Sequence, residues 1–501
     1  MTVTSRGADV SYDGTSTPLR AMAFNVFLGG TYCGGAQNLR QLIDFLRVED
    51  PDVVFMVETY GSGAAIEAGL NAGRAEPRRY RGIQITREPG QEADRDNLWL
   101  FTRYPVTEVY PRVQQGTVTS FHFGGARIRL PSGRGVNLFS IWLDVAERAW
   151  FPTDATALDR AFGRPASSTP AQLAASDRAR RYAKARTILD EVIPALVPDP
   201  NEPVIVGGDL NTLSAYDWSP RFATAYGHAG LVVDWPVTKA FAEAGFTDAY
   251  RSVYPDAASH PGRTWSPYWG FGYAPARIDY VWFRGDGVRA VGAHTQTERL
   301  DRHAESEIAD DFPFYSDHGA LVADLEVDDG GGAPFGRPAR ELDSPEPPSA
   351  PPAGVMVDPR ELHVTASTEQ PGFEASRVLD HNPHTFWHSA FDESGAPPQS
   401  LTVDLGRPRV IAGLRYVGQL IGRVYEEPGH AAGIDRYVVD VSQDGLHFVG
   451  AGSGRLERTR RPQWIAVAAP VGTPARYLRL TGVTGFKSRV GVSVLEVYEH
   501  A

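Results

Sequence analysis

At 501 residues the chain exceeds what one hydrophobic core organises, so two or three domains are expected. Its composition, 42% hydrophobic and 22% charged, excludes disorder as the default state, and a net charge of −12 weighs against unaided nonspecific binding to nucleic acid without closing that reading. A single cysteine, Cys33, rules out disulfides within the chain and thiolate metal clusters, and no apolar run of 18 residues predicts a membrane span.

Residues 1–18 are polar and read as a flexible N-terminus. MTVTSRGADVSYDG has no basic-then-apolar leader pattern, although a chain whose leader had been removed would look the same, so an extracellular location stays open. Leu19–Phe27 predicts a strand. Leu39, Leu42, Ile43 and Leu46 recur at helical spacing and predict a helix over Asn38–Val48. Asp52–Glu58, Leu98–Phe101, Arg127–Leu130 and Val136–Leu143 read as strands, and Ser176–Ile193 as an amphipathic helix. That helix holds the densest basic run, RARRYAKAR at Arg178–Arg186, which reads as its solvated face. Strands follow at Val204–Val206, Ile278–Phe283 and Gly319–Val327. Several strands succeed one another directly, which suggests an α/β sandwich with mixed sheets.

Asp328–Gly354 is rich in Pro and Gly and reads as a linker. Beyond it helix signals vanish. Short β-prone runs recur at Leu401–Leu405, Ile411–Val417, Tyr437–Ser442, Trp464–Val467, Tyr477–Thr481 and Val492–Tyr498, which predicts an antiparallel β-sandwich over residues 355–501.

Polar residues end several of the N-terminal strands. Asn25 ends the first and Glu58 the second. Asp209 and Asn211 end VIVGGDLN, Asp279 lies in RIDYVWF, and Asp317 and His318 precede the last strand. Side by side, these strands would bring all seven side chains to one rim. Glu58 and Asp317 are hard oxygen donors suited to Mg²⁺ or Mn²⁺. Asp209 and Asn211 stand at i and i+2, which on a strand point the same way. There the carboxylate could handle a water and the amide a phosphoryl oxygen. His318, fixed by Asp279, could donate to charge developing on phosphorus.

This ordered set resembles the endonuclease/exonuclease/phosphatase superfamily. The matching stretches are FNV with Asn25, PDVVFMVE with Glu58, FTRYPV at Phe101–Val106, GGDLNT, RIDYVWF and SDH, spanning residues 19–327. The resemblance implies a four-layer α/β sandwich and divalent-metal-dependent cleavage of phosphate esters. By it Glu58 and Asp317 bind metal with Asn25, Asp209 and Asn211 handle the nucleophile, and His318 with Asp279 stabilises the phosphate. Two positions depart from the pattern. Trp142 stands where members usually carry a histidine, and an indole only donates a hydrogen bond at neutral pH. Asn97 stands where an acid is expected beside FTRYPV. Trp142, Trp265, Tyr268 and Trp269 are candidates to wall a substrate pocket.

The C-terminal runs, with HVTAS and ASRVLDHNPHTFWH, resemble the discoidin or coagulation-factor C-type fold, which includes many carbohydrate-binding modules. The resemblance implies a jelly-roll sandwich with a structural Ca²⁺ held by Asp380, Thr385 and Glu496. His381 departs from it where the family commonly has Gly. Trp387 reads as core. The whole sequence is read as a metal-dependent hydrolase of phosphodiesters or phosphomonoesters, targeted to a glycan-bearing substrate. The alternatives are a metal-dependent nuclease, or a glycan-binding protein whose catalytic site Trp142 has impaired.

Overall fold

The computed structural model describes residues 16–32, 34–145, 149–267, 276–304, 306, 308, 312–329, 342–345, 353–382, 385–419, 432–458, 462–468 and 473–500. Cys33, Tyr268 and Trp269 lie outside the described residues. The chain forms two compact units.

In chain order the strands of the first unit are β1 (Ser16–Asn25), β2 (Val53–Val57), β3 (Arg81–Gln84), β4 (Leu98–Thr102), β5 (Val106–Val109), β6 (Gln114–Gln115), β7 (Val118–Thr119), β8 (Phe123–Arg129), β9 (Gly135–Trp142), β10 (Val204–Asp209), β11 (Thr247–Asp248), β12 (Asp279–Arg284), β13 (Val288–Gln296) and β14 (Ala320–Asp328). One six-stranded sheet has the order β13-β14-β1-β2-β4-β3 and the other β11-β12-β10-β9-β8-β5. Each is mixed, as expected: β1 and β2 are parallel, as are β9 and β10, and the other pairs within the two sheets are antiparallel.

Alternation along β1 explains the layering. Leu19, Ala21 and Ala23 enter a core shared with Phe55 of β2, Leu138 of β9 and Ile205 of β10, which lies between the sheets. Met22 and Phe24 point the other way, onto Leu42, Phe45 and Leu46 of helix α1 (Gly35–Glu49). On the far side of the second sheet, Phe139, Val204 and Val206 pack on Ile188, Leu189 and Ile193. Helix, sheet, sheet and helix make four layers. Strands covered on both faces must be apolar throughout, and all ten residues of β1 are buried.

The glycine pair in VIVGGDLNT has a packing cause. A Cβ on Gly207 would sit 2.2 Å from a ring carbon of Phe55, so the missing side chain lets the ring of one sheet rest on the backbone of the other. Gly208 has φ 147°, and a Cβ there would meet the carbonyl of Ile141.

Several expectations need correction. The first strand starts at Ser16, because Ser16, Thr17 and Pro18 continue the pairing with β14. Thr17 also donates to Asp329 at 2.8 Å. The helix expected from Ser176 starts at Pro170, where Thr169 and Gln172 form a reciprocal capping box. The helical run continues through two π-turns to Leu196. Its basic run is a solvated face only in part: Arg178 and Arg180 are exposed, while Arg181 is buried on Asp177, Lys184 reaches Asp144 and Arg186 pairs with Asp190. The expected linker is anchored within its length. Asp343 accepts from the hydroxyl of Tyr250 at 2.7 Å and donates its N–H to that of Tyr254 at 2.7 Å, while Leu342 bridges Ala293.

The second unit is all β. Its sheets contain the six expected runs, within Gln399–Arg409, Ile411–Gly418, Ile434–Ser442, Gln463–Ala466, Ala475–Gly485 and Gly491–Glu499. The last residue of one run is displaced: Val467 lies just past its strand. Trp387, Leu414, Leu478 and Val497 share its core. Among the described residues no helix is long and apolar enough to cross a membrane.

Gly207→Val is expected to destabilise the first unit by about 1–3 kcal/mol, as overpacking of a filled core does. Phe55→Leu in the same chain should recover part of the loss. Denaturant unfolding of the two single variants and the double variant checks this coupling.

Candidate active site

Strand direction gathers the site. Asn25 ends β1, and Glu58 follows the parallel β2. Asp209 ends β10, Asp279 begins the antiparallel β12, and His318 lies just before β14, antiparallel to β1. All five fall at one end of the sandwich.

Asn25 is fully buried, and its amide nitrogen is the junction. It donates to Glu58 Oε1 and to Asp209 Oδ2, each at 3.1 Å, and lies 3.4 Å from His318 Nε2. Its Oδ1 accepts from Phe27 N–H at 3.0 Å, which fixes the amide's direction. Glu58 leaves the strand in the left-handed region, φ 59°. That turn brings its carboxylate to Asn25 and to the N–H of Leu28. Asn97 secures it. Its Oδ1 accepts from Glu58 N–H at 3.1 Å and its Nδ2 donates to Phe121 O at 2.9 Å. An ionised acid at residue 97 could not make the second bond, so the departure at Asn97 has a local reason.

His318 is held between carboxylates. Its Nδ1 is 2.9 Å from Asp279 Oδ2, and its Nε2 is 3.9 Å from Asp209 and 4.0 Å from Asp317. Burial works against its charge, but Asp279 and Asp209 outweigh it and hold the imidazolium well above the ordinary histidine range. Burial, reinforced by Asp279, raises the Asp209 carboxyl in turn. Asp279 Oδ1 is buried with no hydrogen-bond partner among the described residues, an acceptor left over inside the site.

Asn211 corrects the alternation expected from sequence. β10 ends at Asp209, and Asn211 lies beyond it with φ 49°. Its amide nitrogen donates to Leu143 O at 2.8 Å and to Asp209 Oδ2 at 3.0 Å, and its N–H donates to Asp209 Oδ1 at 2.7 Å. Both amide protons are committed, so this geometry gives Asn211 the task of holding Asp209 rather than a phosphoryl oxygen.

Two residues went unnoticed in the sequence. Ser316 donates to Asn25 O at 2.8 Å and accepts from His318 N–H at 3.1 Å, tying the SDH turn to β1. Thr264 Oγ1 accepts from the N–H groups of Ile278 and Asp279, and its carbonyl accepts from Gly319. Only the serine had a signal, its place in SDH. Behind Asp279, the buried Arg277 pairs with Asp217 at 3.0 Å and Asp248 at 2.7 Å, which stiffens the start of β12.

The pocket candidates divide. Trp142 packs on the core between the sheets, with Phe121 edge-on at 5.4 Å, and its buried Nε1–H has no partner among the described residues. Trp265 is 6% exposed, rests 4.4 Å from Trp150 and bridges His318 through its backbone. It is a wall of packing rather than an open platform.

The donor set suits a hard divalent cation. Glu58 and Asp317 are partly open, and the recorded partners of Glu58 are neutral donors. Asp209, Asp279 and His318 also offer ligand atoms within 4.8 Å of one another, but an imidazolium bound by Asp279 is a poor ligand. Glu58 and Asp317 are the hard oxygen donors that could hold a cation, while Asn25, expected beside them, turns its amide nitrogen to Glu58 and its oxygen to Phe27 N–H and so acts as a hydrogen-bond donor rather than a ligand. The C-terminal calcium set does not fit. Glu496 already meets Arg415, His381 and the hydroxyl of Tyr498, while Asp380 accepts from Thr385.

The profile of the Endonuclease/Exonuclease/phosphatase family matches residues 22–318. The chain belongs to this family. The F5/8 type C domain matches residues 363–496. The uncharacterized protein F14F9.5 of Caenorhabditis elegans is 24% identical over 327 residues, 62% of this chain and 92% of its own. A sialidase of Micromonospora viridifaciens is 33% identical over 129 residues, and this chain spans only 18% of its length. Among solved structures, truncated Caenorhabditis elegans TDP2 is 16% identical with a TM-score of 0.38, covering 62% of this chain and 97% of that one.

In metal-free protein the His318 imidazole is expected to stay charged beyond neutral pH. A raised folded value stabilises the fold fully below the unfolded value, near 6.5, and this contribution is lost as pH rises through the folded value. In Asp279→Asn the ring should lose its proton nearer to 6.5. An NMR titration of the imidazole nitrogens in both proteins checks the direction.

Proposed function

We propose that this family member hydrolyses phosphate esters with the help of Mg²⁺ or Mn²⁺, and that its C-terminal unit brings it to a glycan-bearing substrate. The observation that supports this most is the meeting of Asn25, Glu58, Asp209, Asp279 and His318 at one end of the two sheets. Glu58 and Asp317 would hold the cation, which when bound would withdraw charge from the phosphoryl oxygens. Asp209, steadied by Asn211 and Asn25, takes the proton of the attacking water. The water oxygen bonds to phosphorus as the bond to the leaving oxygen breaks. His318, charged through Asp279, donates to the phosphoryl oxygen on which charge builds. A carbohydrate ligand for the second unit is supported by the F5/8 type C match and the partial likeness to a sialidase.

Trp142 shapes the substrate class. Its indole has no proton to give at neutral pH, so the site favours esters whose leaving oxygen needs little protonation. Activated phosphodiesters are the first candidates. The net charge of −12 ranks a nuclease behind them.

Turnover of phosphomonoesters, phosphodiesters and plasmid DNA with Mg²⁺, Mn²⁺ or EDTA tests the reading. Metal-dependent hydrolysis is expected, falling at least about a hundredfold in Glu58→Ala. Glycan binding with no turnover on any ester would favour a binding protein instead. Trp142→His is expected to raise the rate on alkyl esters, which have poor leaving groups, by about tenfold or more. The nitrophenyl ester should change less, and the ratio of the two kcat/KM values is the readout.

A further inference from the structure

Arg415 lies within the strand Ile411–Gly418, directly across from Glu496 on Gly491–Glu499. Both side chains are buried, 5% and 2% exposed. A guanidinium inside a sheet is costly unless paired, and so is a carboxylate. Here each answers the other. Arg415 Nη2 donates to Glu496 Oε1, and His381 Nδ1 lies 2.9 Å from the same oxygen. The second oxygen accepts from Tyr498 OH at 2.6 Å. Both oxygens of Glu496 are thereby occupied by donors of the chain itself.

The rest of the expected calcium set lies nearer the surface and is bonded within its own loop. Asp380 Oδ2 accepts from Thr385 Oγ1 at 2.6 Å, and Oδ1 accepts from Asn382 N–H at 2.9 Å. His381 adopts φ 58°, a region that favours glycine, and in that conformation its ring reaches Glu496. A divalent cation entering here would have to displace Arg415 and then sit beside its charge. Burial opposes ionisation of Glu496, yet Arg415 and His381 hold its carboxyl down at about 2. An ionised glutamate is already compensated without metal.

We infer that Arg415 and His381 take the place of a structural calcium ion in the C-terminal unit, which therefore folds without metal. The catalytic unit and the C-terminal unit then differ in what a chelator does to them: EDTA stops the proposed chemistry but leaves the second unit standing. This inference is independent of the catalytic reading.

Hydrogen–deuterium exchange on the intact protein tests it, because peptides over Ile411–Gly418 and Gly491–Glu499 report on this unit alone. Equal exchange in excess EDTA and in excess Ca²⁺ is expected. Slower exchange of these strands in Ca²⁺ would overturn the inference. Arg415→Gln in EDTA should speed their exchange by about tenfold or more. Exchange unchanged in that variant would also overturn it, by showing that the guanidinium does not hold Glu496. The wild-type comparison decides the matter even if the variant does not fold.

Discussion

One neutral amide organises the charged end of the first unit. The fully buried Asn25 meets Glu58, Asp209 and the edge of His318 through its Nδ2. A carboxylate there would add a third negative charge beside Glu58 and Asp209, and a lysine would compete with any cation. An amide supplies two donors and no charge. It also joins the sheets, because Asn25 and Glu58 belong to one and Asp209 to the other. The rest follows from holding that amide still: the Phe27 N–H on its oxygen, Ser316 on its carbonyl, Asn97 behind Glu58 and Asn211 behind Asp209.

Much of this was legible in the sequence because strand ends are local events. Apolar runs that stop at Asn25, Glu58 and Asp209 announce both the strand and its terminal side chain. Asn211 was misread for the same reason. Alternation holds only inside a strand, and the strand has ended before that residue, which itself turns left-handed. Thr264 could not be seen, since its partners Asp279 and Gly319 come from distant segments. The edge strands β3 and β5, with burial as low as that of Glu108 and Val109, lacked the apolar runs that reveal central strands. The strand Val449–Arg455 reads VGAGSGR and has almost no apolar signal.

The two units solve the burial of charge differently. In the first, carboxylates crowd around a single imidazolium and leave Glu58 and Asp317 partly open, a surplus of negative charge that invites a cation. In the second, Arg415 cancels Glu496 inside the sheet. Low dielectric magnifies both arrangements. Only the first leaves unmet demand, and chemistry is expected where demand is left.

The anchoring of Asp343 carries a practical consequence for isolating the catalytic half. The last strand of the first sheet, β14, ends at Asp328, which invites a cut there. Such a fragment would lose Asp343, leaving the hydroxyl of Tyr250 without its acceptor, while that of Tyr254 would keep Ala293 O at 3.0 Å but lose the N–H it accepts from. An orphaned buried hydroxyl costs about 1–3 kcal/mol, a large share of what holds a domain of this kind together. A stop codon placed after Pro345 keeps both bonds and removes the F5/8 type C domain. Where the first unit can be cut is thus decided by two tyrosines some ninety positions upstream, about the separations of 93 and 89 that these bonds span.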